Sequence, residues 1–159
     1  MDEFAFARVL HVLGVILWIG GVAMVTTVLI PTAAKISSAD GQSSFFDHVE
    51  RRFAAQARFT TLLVGLSGIY MVHFLDAWSR FAEPRFWWMH AMVLVWFVFS
   101  LMLFVVEPSR RKKVTEMARR DPEKTIVLAQ RMHWILLSLS LVTIAGAVAG
   151  SHGWMLQGG

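Results

Sequence analysis

Four apolar stretches dominate this chain, and no soluble core of its length could hide them all. They cover about residues 6–30, 59–75, 86–106 and 133–149. Each is near the ~20 residues that a helix needs to cross a hydrocarbon layer. Of the 159 residues, 56% are hydrophobic and only 16% are charged, an excess of apolar surface for which lipid is the fitting solvent. Within lipid every backbone N–H and C=O must be paired inside the protein. The predicted fold class is therefore all-α: an integral membrane four-helix bundle forming a single domain over residues 1–159.

Prolines and charges divide the stretches. Pro31 is expected to end the first, because proline cannot continue a helical hydrogen-bond ladder, and Glu107-Pro108 to close the third. Residues 32–44 read as a polar loop, and the segment Phe45–Arg52 as an amphipathic lead-in to the second helix. Loops 31–58 and 108–131 hold 12 of the 15 Lys and Arg. The positive-inside bias places both loops in the cytoplasm and both termini on the extracytoplasmic side of an inner (cytoplasmic) membrane. The start Met1-Asp2-Glu3 is acidic where a cleavable signal needs positive charge, so the first stretch is read as a retained span. Small residues at Gly14, Gly20-Gly21, Gly65-x-x-Gly68 and Gly146-x-x-x-Gly150 suit close helix packing, within the bundle or in a homo-oligomer.

Several functions are excluded. The absence of cysteine removes disulfides, thiolate metal sites, iron–sulfur clusters and covalent c-type haem. The net charge is +4, but the basic residues fall mainly in two loops beside apolar stretches, which is topology rather than a nucleic-acid footprint. No Gly-rich phosphate loop or Ser-His-Asp arrangement is visible, and Glu107 is better explained as a helix-end ion pair than as a proton carrier.

The histidines carry the chemical argument, since an imidazole inside an apolar helix is expensive unless its nitrogen is used. His11, His73 and His90 are expected near the outer face on three different helices, with His152 following the fourth. His48 and His133 belong to the opposite side. Two ligands answer to this donor set. Haem b takes axial imidazoles and a slot of aromatic and small residues. His11, Gly14, Trp18 and Gly21 share one helix face that has these ingredients, while Arg8, Arg80 and Arg85 lie where propionates would emerge. Copper would instead use Met71-x-His73 and Met89-His90-x-Met92, which pair thioethers with imidazoles.

The run His11-Val12-Leu13-Gly14-Val15-Ile16-Leu17-Trp18-Ile19-Gly20-Gly21 resembles the first core helix of CopD-like copper-resistance membrane proteins and of the related small haem-containing protoporphyrinogen oxidases. The resemblance implies a four-helix core with histidines near one membrane face, haem b or copper as the bound species, and His11 as a ligand. The expected function is that of a haem b protein acting in electron transfer or redox chemistry, possessing His11 with His73 or His90 as axial ligands and a quinone or periplasmic partner. The alternatives are a copper-handling transporter or accessory protein and a membrane scaffold subunit without cofactor.

Overall fold

A computed structural model describes residues 2–35 and 39–153, with side chains for all of these except 39–51 and Arg111. His48 lies outside the described side chains. Every element among the described residues is helical. Four helices are long and apolar enough to cross a membrane: Asp2–Ala33, Arg52–Phe74, Pro84–Arg110 and Pro122–Ser151. They alternate in direction. The first packs most extensively on the second and the third on the fourth, so the fold is two helical hairpins closed into one bundle. All four contribute to one central cluster: Trp18, Ile19 and Val22 from the first, Val64 from the second, Phe99 from the third, Leu136 and Leu137 from the fourth. Trp18 meets Phe99 edge to face, with ring centroids 4.9 Å apart.

Large apolar side chains cover the outside of the bundle as well as its centre. Leu66 is 69% exposed and Phe6 65%, whereas Thr26, Thr60, Thr61 and Ser140 are at most 1% exposed. Hidden hydroxyls are tolerated because most return a hydrogen bond to the preceding turn: Thr26 to the Val22 carbonyl, Ser140 to that of Leu136, Thr60 to that of Gln56.

The helix boundaries differ from those expected at both prolines. The first helix does not stop at Pro31 but continues to Ala33, and the third passes through Pro108 into a basic extension, Glu107–Arg120. In each case a wider π-helical turn precedes the proline, over Val25–Leu29 and Met102–Val106. There the Ile30 N–H reaches the Val25 carbonyl and the Glu107 N–H reaches that of Met102. The next bond in each series would run from the proline, which has no N–H, to the carbonyl of Thr26 or Leu103. A neighbouring helix supplies the missing donor. Gln130 Nε2 donates to the Thr26 carbonyl at 2.8 Å, and Arg58 Nε to that of Leu103 at 3.2 Å. The wide turn thus admits proline, and a long polar side chain closes the gap. Gln130→Leu leaves that carbonyl without its donor, and should lower stability in detergent by about 1–2 kcal/mol, read as a drop in thermal midpoint.

The basic end is also more helical than expected. A second helix begins at Ala39, inside the predicted loop, and the fourth starts at Pro122, with Asp121 Oδ1 accepting from the Lys124 N–H at 3.0 Å as its N-cap. At the terminal end, Asp76 adopts a left-handed conformation (φ 48°) that turns the chain into two short 3₁₀ segments, Ala77–Ala82 and Pro84–Phe86.

Candidate metal-ligating site at His11

His11 lies in the seam between the first two helices, half-buried, with Gly68 beneath its ring: a Cβ built there would lie 3.3 Å from His11 Cε1. Its Nδ1 is 3.0 Å from the Val64 carbonyl oxygen and 3.1 Å from Ser67 Oγ. A carbonyl can only accept, so Nδ1 carries the proton and donates. Ser67 gives its own proton to the Leu63 carbonyl at 2.6 Å, leaving its oxygen to share the donation from His11. Nε2 therefore keeps its lone pair, and it makes no hydrogen bond among the described residues. An imidazole oriented through one nitrogen with the other left basic is the arrangement found in metal-ligating histidines. Ser67 and the Val64 carbonyl were not among the expected site groups; the only trace of them in the sequence is a serine one residue before Gly68 in an apolar helix.

The other expected residues occupy different environments. His73 is exposed and lies five residues beyond Gly68, about 7.5 Å further toward the termini. His90 is exposed too, and its Nε2 donates to the Phe81 carbonyl at 2.9 Å in the connector while its ring meets Phe81 edge-on. Met89 is buried and, with Met92, packs with Phe86 and Trp88, whereas His90 next to it is exposed. His133 and His152 bond to carbonyls of their own helix, at Ala129 and Val148. Among the described residues no group of three or more His, Cys, Asp or Glu forms a potential metal site. Of the arginines, Arg85 pairs with Glu83 and, with Arg80, sits over the Phe86 ring, at 4.9 and 5.4 Å from its centre. Arg8 is exposed beside a shallow apolar groove on the first helix.

His11, Gly14, Trp18 and Gly21 do share a face, and that face is packed. A Cβ at Gly14 would lie 2.8 Å from Val64, and one at Gly21 would lie 2.4 Å from Phe53. Trp96 fills the niche at Gly65, Trp87 that at Gly146, and Trp88 that at Gly150. The fit to haem b is accordingly partial. The donor nitrogen is in place, but the glycines that would admit a porphyrin plane between helices are occupied by side chains of the bundle. Comparison of the chain with protein-family models, curated proteins and solved structures finds no match.

Proposed function

We propose that this is an integral membrane protein that crosses the bilayer four times, with its basic loops in the cytoplasm, its termini outside and His11 as a protein ligand to a redox-active metal group, haem b being the first candidate. The membrane reading is supported by the four apolar helices and by their lipid-compatible exterior. The ligand reading is carried by one observation, the proton of His11 Nδ1 held by the Val64 carbonyl with Nε2 left basic. Bound haem b would supply a one-electron couple suited to a quinone or an extracytoplasmic redox partner, and so to a membrane oxidoreductase. The chain itself would orient the imidazole through Val64 and Ser67 and keep water from its Nδ1 side. His73 follows Gly68 by five residues, about 7.5 Å further along the helix from His11, and His90 is bonded to the Phe81 carbonyl, which favours one axial ligand from this chain over a facing pair. The copper alternative is less favoured at Met89-His90-x-Met92, where Met89 is buried and His90 exposed.

A second reading, a cofactor-free scaffold subunit, is favoured by the filled glycine niches. A reduced-minus-oxidised spectrum of the purified protein, with metal analysis, separates the two. Haem binding through His11 predicts b-type bands in the wild type and an occupancy reduced more than about tenfold in His11→Ala, since even the outer partners of a metal ligand carry that much. His90→Ala should retain the bands. Colourless, metal-free wild-type protein would establish the scaffold reading instead.

A further inference from the structure

Two hydroxyls inside the bundle break the pattern that the others follow. Thr26, Thr60, Ser67, Ser140 and Thr143 are buried, and each donates to a carbonyl one turn back in its own helix. Thr61 Oγ1 and Ser100 Oγ are buried as well, yet neither has a hydrogen-bond partner among the described residues. Both belong to the seam between the two hairpins, where the second helix meets the third. Two hydrogen bonds pin that seam: Trp96 Nε1 donates to the Thr61 carbonyl at 2.9 Å, and Arg58 Nε to that of Leu103 at 3.2 Å. Thr61 lies three residues from Arg58, and Ser100 lies three from Leu103 and four from Trp96, so both fall in the layer that the two pins bracket. Side chains lean toward the N-terminus of their own helix, and these helices run oppositely, so the two hydroxyls lean toward a common level. Trp18 Nε1, also buried without a partner, belongs to the ring that meets Phe99, the neighbour of Ser100 in the chain. At the basic end of the same seam stands the Arg58–Glu107 pair, 2.9 Å apart and partly exposed.

We propose that water enters the bundle from its basic end along this seam and is bound at Thr61 and Ser100, forming a hydrated pocket in the cytoplasmic half of the span. The inference rests on the membrane part of the proposed function and not on the cofactor. A serine or threonine in an apolar helix can satisfy itself on the preceding turn, as the five others do. Two hydroxyls that forgo this bond in one layer are set for a partner outside the protein. Water both donates and accepts, and so answers a pair of hydroxyls better than an ion of either sign. The ion pair at the mouth holds hydration of its own, and polar groups continue inward from it, through the Leu103 carbonyl to the two hydroxyls. About 10 Å of helix separates Glu107 from Ser100. Trp96 closes the inner end, with its indole in the niche at Gly65 and its N–H on the Thr61 carbonyl.

The chain has no cysteine, so a single introduced thiol reports without background. Thr61→Cys and Ser100→Cys change little in size, and each has an exposed apolar neighbour at the same depth for comparison, in Leu62→Cys and Leu101→Cys. A membrane-impermeant methanethiosulfonate is applied to inverted membrane vesicles, which present the cytoplasmic side. Thr61→Cys and Ser100→Cys should react about tenfold faster than these neighbours, because the thiolate that reacts forms in water and not in hydrocarbon. They should outpace Ser140→Cys by a similar factor, since that buried position is bonded to its own helix. In right-side-out vesicles the same two thiols should be protected. Failure of either position to outpace Ser140→Cys, or equal reaction from the two sides, overturns the pocket and leaves the membrane reading intact. Ready reaction of Leu62→Cys and Leu101→Cys overturns both.

Discussion

Gly65→Ala is expected to lower the stability of the detergent-solubilised protein by about 2–4 kcal/mol, while Gly20→Ala leaves it unchanged or raises it. Both replace a helical glycine in an apolar span, so propensity alone predicts the same small gain for each. Their surroundings decide otherwise. A Cβ at Gly65 would lie 2.6 Å from Trp96 Cε2 and Nε1, inside any permissible contact, whereas one at Gly20 meets nothing within 4 Å. Trp96 cannot simply rotate away, because its Nε1 donates to the Thr61 carbonyl at 2.9 Å and would have to give up that bond in an apolar setting. Trp96→Phe in the Gly65→Ala background, with a narrower ring and no N–H to satisfy, should recover part of the loss. Thermal midpoints of the four proteins make the comparison. Equal midpoints for Gly65→Ala and Gly20→Ala would mean that the second and third helices do not approach as described.

The contrast between these glycines shows how far sequence reading reaches. Four apolar stretches with basic loops between them specify four helices, because lipid-compatible length and hydropathy are local properties. Which glycine serves as a niche is not local. Gly20 and Gly21 are adjacent, yet Phe53 fills the space over one and the other faces outward. The prolines mark the same boundary. Proline read in isolation ends a helix, but the chain continues through Pro31 and Pro108 because π-turns precede them and Gln130 and Arg58 supply donors from 99 and 50 positions away along the sequence. No window centred on either proline contains its compensating residue.

For the candidate site, the sequence places His11, His73 and His90 near one end of the bundle on three helices, and helical spacing puts His11, Gly14, Trp18 and Gly21 on one face, without saying which of these side chains meet. Register between helices depends on which side chain interlocks with which gap, and charge counting is blind to it. Phe4 stacks on Phe74 and His11 over Gly68, which carries His73 toward the termini and away from His11. The hydrogen bond that fixes the His11 tautomer was equally invisible, since its acceptor is a backbone carbonyl that any residue at position 64 would present.

Removing Glu107 should be worse than removing Glu107 and Arg58 together per charge lost. Arg58 bridges two groups of the third helix, the Leu103 carbonyl exposed by Pro108 and the Glu107 carboxylate at 2.9 Å. Glu107→Leu leaves a guanidinium without its counter-charge at the rim of an apolar bundle, a loss of about 2–3 kcal/mol, below the 3–5 typical of fully buried pairs because the side chains remain 36% and 26% exposed. Arg58→Leu abandons both the carboxylate and the carbonyl, and should lose at least as much. The double variant strands only the carbonyl, at about 1–2 kcal/mol, so it should be more stable than either single variant. A double-mutant cycle on thermal or denaturant midpoints measures this coupling directly. Losses that simply add would show that the ion pair contributes nothing at this position. The carbonyl bond alone would then explain why an arginine stands opposite a proline-broken helix where the corresponding partner of the first helix is the uncharged Gln130. Coupling of the expected size instead assigns Glu107 the task of holding that arginine in reach of Leu103.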